Sequence, residues 1–409
     1  MSEITKNKKS AKVVRLNPVE VRLKRRIRQH LKDLGFARDG SGGLVPPSQD
    51  KDVVRTLHKA QRRQIIEATQ ALVKTRLPKL GKYFADGKEI DVSAIAPRLE
   101  RVHSDTWQGD LFRLASLTWS VPVSSGYGRR LRFLVWDEFN GKLIGIMAIG
   151  DPVFNLAVRD AYIGWSGEDR KQRLVNVMDA YVLGAVPPYN MLLGGKLVAC
   201  LLRSKELYDE FMSEYGSTVG VISGENKSAR LLAVTTTSSM GRSSLYNRLK
   251  LDGVPYFSSM GFTGGWGHFH VPDILFDDLR SYLQSKQIAQ ADMHEFGQGA
   301  NWRIRTIRSA LGALEFKGDI LKHGVQRQAF ISLLADNSAS ILQTGTGAPN
   351  LINLKNVNEI AELTKERWLQ KRAQNRIEYL AWRKQDVGLL IQTGSAALTT
   401  IAATSANLV

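Results

Sequence analysis

Apolar residues near the start of the chain recur at the spacing of an α-helix. This apolar stripe consists of Leu23, Ile27, Leu31 and Leu34. Asn17 is a residue type that caps helix N-termini, and Pro18 suits the first helical position. Gly35 follows the last apolar residue, where a glycine commonly ends a helix. The pattern therefore predicts an amphipathic helix that starts at Pro18 and ends before Gly35.

Basic residues cover the polar side of this helix and of the next one. In the first helix they are Arg22, Arg25, Arg26 and Arg28. A second helix is predicted over roughly 52–74, and its basic residues at i, i+4, i+7 and i+8 are Arg55, Lys59, Arg62 and Arg63. One such helix equally fits a solvated face that serves solubility. Two basic faces in succession favour contact with a polyanion.

Between about residues 90 and 272, short β-branched and aromatic runs alternate with helical patterns. Two of the runs, 132–135 and 143–149, flank Asn140-Gly141, which is a strong hairpin signal. The further predicted elements are helices at 167–178, 197–215 and 243–249, and strands at 180–186, 218–223, 231–236 and 256–271. The fold class predicted for this region is α/β (α+β), with a mixed sheet.

After Pro272 the pattern is mostly helical, with helices predicted at 274–286, 302–314 and 357–384. The last helix mixes aromatic and cationic residues, which suits base stacking with phosphate contact, or a helix that buries its Trp and Tyr side chains. The predicted organisation is a basic disordered tail at 1–16, a basic helical region at 17–89, an α/β core at 90–272, a helical extension at 273–342, and a loop with a C-terminal helix at 343–409.

The positive charge of the chain is concentrated at its start. The first 82 residues hold 21 of the 57 Lys and Arg residues but 7 of the 39 Asp and Glu residues, so they carry +14 of the net +18. A basic segment of this kind binds polyanions through counterion release, which needs no base recognition and weakens with salt. Nucleic acid is therefore the expected partner.

Cysteine usage and apolar runs bear on the compartment. The lone Cys200 lies in the apolar run 197–202, which predicts a buried thiol and leaves no cysteine pair for a disulfide or a metal site. No apolar stretch follows the basic N-terminus, and polar residues interrupt the late apolar run 387–401. A cytoplasmic protein without a membrane span is expected.

The middle region contains a loop that could hold a phosphate. Its residues are Asn190, Met191, Leu192, Leu193, Gly194, Gly195 and Lys196, and a helix is predicted to follow. The order of hairpin, strand, loop, helix, strand, helix and strand resembles the GNAT acyltransferase fold. That resemblance implies a GNAT-like core in which Asn190, Gly194, Gly195 and Lys196 face the pyrophosphate of an acyl-CoA. Met191 and Lys196 depart from the family's usual loop pattern, so the resemblance implies acyl-CoA binding less strongly.

The same resemblance singles out Tyr246, in the string Ser244-Leu245-Tyr246. GNAT enzymes carry a Leu-Tyr pair there whose phenol can protonate a departing thiolate, so Tyr246 would be the acid of an acyltransferase. A tyrosine on a helix that packs against a sheet is the alternative.

A separate pattern, His268-Phe269-His270, would place both imidazoles on one face of a strand. It resembles the His-hydrophobic-His signature of the HUH single-strand nucleases, in which a divalent metal polarises the scissile phosphate and a tyrosine attacks it. His268 and His270 would then be metal ligands and Tyr282, on the following helix, the nucleophile. His103 and His294 are candidates for a third ligand.

Three arginines, Arg303, Arg305 and Arg308, follow Asn301-Trp302 on a predicted helix. They could contact phosphates, with a glycine-containing lead-in that permits close approach of the backbone. Pairing with carboxylates of the neighbouring domain is the structural alternative.

Several ordered strings resemble the DruA family of the Druantia anti-phage defence systems. They are 23–36, 161–166, 241–249, 264–272, 296–308 and His323-Gly324, and they span roughly residues 20–340. Membership would imply a bacterial, cytoplasmic defence component that acts beside other system proteins, including a large helicase-like subunit. The resemblance supplies no reaction, and it leaves the role of residues 345–409 open.

The leading hypothesis is therefore a nucleic-acid-binding component of antiviral defence with little or no enzymatic activity. An acyl-CoA-dependent acyltransferase and a metal-dependent HUH-like nuclease are alternatives, and a transposition-related protein fits the same charge pattern.

Overall fold

The computed structural model describes residues 17–219, 226–288, 302–316 and 320–393. The basic tail predicted at 1–16, the candidate ligand His294 and the end of the chain after Thr393 lie outside these residues. Contacts between Cα atoms group the chain into two compact units. Unit 1 takes its residues from 1–47 and 271–323, and unit 2 takes its residues from 48–270 and 324–409.

The strands of the described residues are β1 (Ala37–Arg38), β2 (Leu44–Val45), β3 (Pro97–Arg101), β4 (Arg130–Asp137), β5 (Lys142–Gly150), β6 (Val177–Ala185), β7 (Thr218–Val219), β8 (Asn226–Lys227), β9 (Ala233–Thr237), β10 (Lys250–Leu251), β11 (Val254–Pro255), β12 (Ser258–Phe262) and β13 (Gln328–Leu333). Seven of them form the main sheet of unit 2, in the order β12-β13-β9-β6-β5-β4-β3. Every neighbouring pair in this sheet is antiparallel except β6 and β9, which run parallel.

The helices are α1 (Pro18–Asp33), α2 (Lys51–Ala68), α3 (Gln70–Leu80), α4 (Trp107–Leu117), α5 (Ala157–Ile163), α6 (Gly167–Arg173), α7 (Gly194–Leu201), α8 (Lys205–Tyr215), α9 (Asp273–Ser285), α10 (Trp302–Ala313), α11 (Ser338–Thr344), α12 (Val357–Thr364), α13 (Gln370–Asn375) and α14 (Asp386–Thr393). Short 3-10 helices lie at Gly81–Tyr83, Gly87–Glu89, Leu174–Asn176, Tyr189–Leu192, Tyr246–Arg248 and Ile377–Ala381, and a π-helical turn lies at Lys365–Leu369.

The start and end of α1 follow the signals in the sequence. The Asn17 side chain accepts hydrogen bonds from the backbone N–H groups of Val19 and Glu20, at 2.8 and 3.0 Å. The Glu20 carboxylate accepts one in return from the N–H of Asn17, which completes a capping box. Gly35, just past the end of the helix, has a φ of +80°, which costs glycine little. The predicted cap and stop residues of α1 are confirmed.

The core of unit 2 lies on both faces of the main sheet. On one face, the buried helix α7 packs against β5 and β6, and Cys200 is fully buried within it. On the other face, α4 packs against β4 and β5. The predicted Asn140-Gly141 turn joins β4 to β5, and Gly141 has a φ of +68°. The mixture of helices and a mixed sheet confirms the predicted α+β class.

Three long helices predicted from the sequence are interrupted. The helix predicted at 52–74 divides at Thr69, whose hydroxyl donates to the backbone oxygen of Ile65 at 2.7 Å. A threonine that bonds back to the preceding turn weakens the helix there. The helix predicted toward Tyr215 stops after Leu201, and Ser204 caps the next one. The helix predicted at 357–384 becomes α12, the π-helical turn, α13 and a 3-10 helix.

Within the part of the chain that the structure describes, no helix combines the length and the apolar character needed to cross a bilayer.

Candidate nucleic-acid interface

One side of α1 carries a row of cations, which we call the α1 basic row and define as Arg25, Arg28 and Lys32. These side chains line a shallow groove together with Val21 and Gln29. All three are exposed, and none forms an ion pair with a carboxylate of the described residues. Arg22, one step around the helix, is also exposed and without an ion pair among them. The opposite side of α1 buries Leu23, Ile27 and Leu31 within unit 1.

Other predicted arginines of unit 1 are engaged with carboxylates. Arg26 pairs with Asp278 on α9, and Arg303 pairs with Asp273 and donates to the backbone oxygen of Val271 at 2.9 Å. These two arginines therefore hold helices of unit 1 together, and the partner of Arg303 lies in its own predicted segment, 273–342, and not in a neighbouring domain. Arg305 and Arg308 remain exposed on α10.

The basic residues of α2 also include both cations that pair with carboxylates and a cation that does not. Arg55 pairs with Asp52, and Arg63 pairs with Glu67 at 2.9 Å. Lys59 is exposed and has no ion pair within the described ranges. A phosphate contact by Arg55, Lys59 or Arg63 stays a prediction.

Arg62 has a structural role, whereas its contact with a phosphate stays a prediction. Its guanidinium donates to four backbone oxygens, those of Leu117 (3.3 Å), Trp119 (3.1 Å), Leu390 (3.2 Å) and Ile391 (2.8 Å). These oxygens lie at or just after the ends of α4 and α14, where helices leave carbonyl groups without partners. Because Nε and Nη2 donate to the backbone, Arg62 ties two helix ends together, and only its Nη1 has no acceptor among the described residues.

Tyr282 is buried in unit 1, where its hydroxyl donates to the Glu20 carboxylate at 3.0 Å. Lys286 binds the same carboxylate oxygen at 2.7 Å. Burial and the neighbouring Glu20 raise the pKa of Tyr282 to about 12. A nucleophile must reach the scissile phosphate and lose its proton easily, and this phenol meets neither requirement. The nuclease hypothesis therefore loses its proposed nucleophile.

The two candidate metal ligands do not share a strand, which corrects the sequence prediction. Strand β12 ends at Phe262, and His268 and His270 lie in a bend and a turn further on. His270 is 1% exposed, whereas His268 is partly exposed. No group of three or more His, Cys, Asp or Glu residues among those described is arranged to hold a metal ion. The alternation that puts both imidazoles on one face of a strand does not apply here.

The predicted phosphate loop leads into the start of α7. Asn190 is exposed in the 3-10 helix, and Leu193 turns the chain with a φ of +64° before Gly194. A Cβ on Gly194 would lie 2.6 Å from the backbone oxygen of Tyr189, so only glycine permits this close approach. Gly195 follows in the first turn, near Leu245.

Cations gather beside this loop. The Lys196 ammonium lies 4.5 Å from the centroid of the Trp368 ring, and Arg367 lies over the same ring. Burial lowers the pKa of Lys196, and so do the charges of Arg248 and Arg367. None of these three cations pairs with a carboxylate in the described part of the chain. The loop therefore presents positive charge that could meet an anionic group.

Tyr246 packs between Phe257 and Phe330, with ring centroids 5.0 and 5.1 Å away. Burial and the Asp179 charge raise the pKa of Tyr246 to about 12, while a side-chain hydrogen bond with Thr236 acts in the other direction. The packing matches the structural alternative stated for this residue. A phenol with that pKa can still serve as a proton donor.

Sequence reasoning missed Asp179, the acidic residue inside the otherwise apolar stretch of β6. Burial raises the pKa of Asp179 to about 6, although a hydrogen bond from the Thr235 hydroxyl at 2.8 Å opposes the shift. The charge of Asp179 in turn contributes to a raised pKa of Tyr127. An acidic residue on a buried strand was the available signal, because such a position is costly unless it has a use.

Asp179 forms the last backbone pair between the two parallel strands. Strands β6 and β9 pair at Val177 with Ala233, Met178 with Val234 and Asp179 with Thr235, and β6 then continues to Ala185 without further pairing to β9. The Thr236 hydroxyl bridges to the backbone oxygen of Ala180 at 2.9 Å. Backbone pairing between the two parallel strands thus ends at Asp179, and a side-chain hydrogen bond replaces it one residue further on.

The fold and these surfaces define an α+β protein with a mixed seven-stranded sheet and a row of exposed cations on its first helix. The family profile described as Druantia protein DruA matches residues 48–344. The Druantia protein DruA of Escherichia coli (strain UMEA 4076-1) is 60% identical over 375 residues, which cover 92% of this chain and 93% of that relative. The chain therefore belongs to the DruA family. No solved structure matches it significantly.

Proposed function

We propose that this chain is a nucleic-acid-binding component of a Druantia-type anti-phage defence system. Membership of the DruA family supports the defence context, since the relative is a Druantia protein. Within that context we expect the chain to act in the cytoplasm beside other system proteins, including a helicase-like subunit. The α1 basic row supports the choice of nucleic acid as its ligand.

The observation that carries this proposal is the lack of carboxylate partners along the α1 basic row. Arg25, Arg28 and Lys32 lie within about 60° of each other around the helix and span about 10 Å of its axis. Neighbouring cations of the same unit, such as Arg26, are neutralised by acids, whereas this row faces solvent. Cations that are left unpaired and aligned attract a phosphate chain, and they gain affinity when condensed counterions are released.

Fluorescence anisotropy with the full chain tests the proposal directly. Labelled duplex DNA, single-stranded DNA and single-stranded RNA of equal length are titrated at 50 mM and 200 mM salt. We expect binding to at least one of them at 50 mM, with a marked loss at 200 mM because the contacts are to phosphates. If none of the three binds at 50 mM salt, the proposed function is wrong.

A second candidate function is supported by the end of backbone pairing between β6 and β9 at Asp179. A GNAT-like core would admit the pantetheine arm of an acyl-CoA between these strands, as the resemblance implies. The first turn of α7 and Lys196 would face its phosphates, and Asp179, with its pKa near 6, would accept a proton from an attacking amine. Tyr246 would return a proton to the thiolate released when the thioester bond breaks.

Calorimetric titration with acetyl-CoA separates this candidate from the first. We expect the wild type to bind acetyl-CoA. Lys196→Gln should weaken this binding and Asp179→Asn should leave it intact, because Lys196 would hold the phosphates whereas Asp179 would act only on the amine. Lys205→Gln at the start of α8 supplies a control with the same charge change. Absence of heat in the wild-type titration would remove the acyltransferase candidate and leave nucleic-acid binding untouched.

A further inference from the structure

Arg327 is a cation that is largely buried without a counter-ion. Its Nε is fully covered and makes no hydrogen bond, and its side chain forms no ion pair within the described residues. Burial alone accounts for the lowered pKa of the Arg327 guanidinium, and no carboxylate of the described residues lies close enough to offset it. Desolvating a charge without a partner costs free energy, so such an arginine calls for an explanation.

Arg327 is packed against an aromatic pair. The guanidinium carbon lies 5.2 Å from the centroid of the Phe269 ring, and the imidazole of His58 stacks on the same ring at 4.6 Å. His58 is 4% exposed, and neither of its ring nitrogens has a hydrogen-bond partner in the described part of the chain. The Gln61 side chain approaches the imidazole without the geometry of a hydrogen bond. The Arg327 cation and the imidazole of His58, whose N–H has no acceptor among the described residues, thus both contact the Phe269 ring.

The charged groups on the neighbouring elements do not neutralise Arg327. On α2, the carboxylate of Asp52 is taken by Arg55, one turn before His58. Burial first, and then the charge of Arg327, lower the pKa of His58 to about 4, so the imidazole is neutral near pH 7. The positive charge at this place is therefore carried by Arg327, and a neutral imidazole still offers one N–H donor.

We propose that Arg327 binds a phosphate group, and that this phosphate belongs to the polynucleotide bound by the protein. This inference rests on the proposed function. A guanidinium offers a planar set of N–H donors that matches two phosphate oxygens, and a desolvated site strengthens the contact. The phosphate supplies the negative charge that the described residues around Arg327 lack. Phe269 stacks on the guanidinium and keeps its orientation before the ligand arrives.

Thermal unfolding of the full chain tests the site with two probes, inorganic phosphate at constant ionic strength and a 20-nucleotide single strand. Both should raise the melting temperature of the wild type, because a ligand that binds the folded state stabilises it. In Arg327→Met, neither probe should raise the melting temperature. Without ligand, the melting temperature of this variant should equal or exceed that of the wild type, since an unpaired charge has been removed.

Arg203→Met is the matched control. Arg203 is also buried and lies 5.3 Å from the centroid of an aromatic ring, that of Tyr256, but its Nε donates to the backbone oxygen of Leu333 at 2.7 Å. Its replacement should lower the melting temperature and leave the phosphate increment unchanged. An Arg327→Met protein that keeps the full increment would overturn the proposed site.

NMR on the wild type gives a readout that does not depend on how any variant folds. The ring signals of His58 are assigned by their loss in His58→Gln, and they should shift when either probe is added, because the charge of Arg327 acts on this imidazole and a bound anion would offset that charge. No shift with either probe overturns the inference. A shift with inorganic phosphate but none with the oligonucleotide shows a free phosphate-bearing ligand and overturns the assignment to a polynucleotide.

Fluorescence anisotropy distinguishes failure of the Arg327 phosphate site from failure of the proposed function. Loss of one phosphate contact should reduce the change in affinity between 50 and 200 mM salt by about 3- to 4-fold. If Arg327→Met binds nucleic acid with the salt dependence of the wild type, this inference fails and the proposed function stands. If the wild type binds no nucleic acid, the proposed function fails first.

Discussion

The α1 basic row can be tested by neutralising it without altering the helix. In the triple variant Arg25→Gln, Arg28→Gln and Lys32→Gln, glutamine retains helix propensity and a polar end group on a shorter side chain. The three residues are exposed and lie away from the buried stripe of α1, so stability should change little. Deleting the segment would instead remove Leu23 and Ile27 from the core of unit 1.

The magnitude follows from counterion release. Each phosphate contact adds about 0.9 to the slope of log affinity against log salt for duplex DNA, so three contacts contribute about 2.7. Over a fourfold rise in salt, from 50 to 200 mM, this corresponds to a change of about 40-fold in affinity. The loss of affinity over that range should therefore be about 40-fold smaller for the triple variant than for the wild type. Anisotropy at five or six salt concentrations measures both slopes.

A second triple variant controls for net charge. Arg98, Lys171 and Arg376 are exposed cations of unit 2 that already pair with Glu138, Glu168 and Glu378. Replacing all three with glutamine removes the same charge from the chain but should leave the slope near that of the wild type. Equal salt-dependence slopes for the wild type and the α1 variant would refute the role of the α1 basic row. Equal effects of the two triple variants would show that net charge, and not the position of the row, determines the slope.

Three further substitutions have expected outcomes. Arg62→Leu should lower the free energy of unfolding by about 3 kcal/mol or more, because four carbonyl groups lose a charged donor; urea denaturation measures this, and an unchanged midpoint would contradict the role given to Arg62. Tyr282→Phe should cost about 1.5–3 kcal/mol through its lost bond to Glu20, and a covalent DNA adduct in the wild type that this variant lacks would contradict its structural role. Asp179→Asn should stabilise the protein at pH 7 by up to about 3 kcal/mol, since the pKa in the folded state, about 6, exceeds the unfolded value of 3.8. Because the folded state holds the extra proton, this gain should shrink as the pH falls from 6 and vanish below about 4, and a gain that persists at pH 3.5 would show another cause.

Local signals in the sequence predicted much of the fold. Asn17, Pro18 and Gly35 marked the bounds of α1, and Asn140-Gly141 marked the β4–β5 turn, because capping and turn geometry depend on adjacent residues. The interruptions of the predicted long helices were not visible, since an apolar repeat continues through Thr69 and through the π-helical turn. There the tertiary packing decides where a helix breaks.

The site was predictable in part, because sequence shows which residues are basic but not which of them have partners. Arg25 and Arg62 look alike along the chain, yet the first is exposed and the second donates to four carbonyl groups. The partners of Arg62 lie more than 50 residues away, and no local pattern encodes them. Arg327 was missed for the converse reason, since the absence of a nearby carboxylate is a property of the folded chain.

The assembly of unit 1 from two distant segments affects how the protein is made. Helix α1 ends at Asp33, whereas α9, against which it packs, begins at Asp273. A ribosome adding 5–20 residues per second needs on the order of 10 to 50 s to synthesise the intervening segment. Throughout that interval the Leu23, Ile27 and Leu31 stripe has no partner helix, although its cations are already outside the exit tunnel. Unit 1 thus completes its core late in translation, and an early stop in synthesis leaves a cationic amphipathic helix without the scaffold that should cover it.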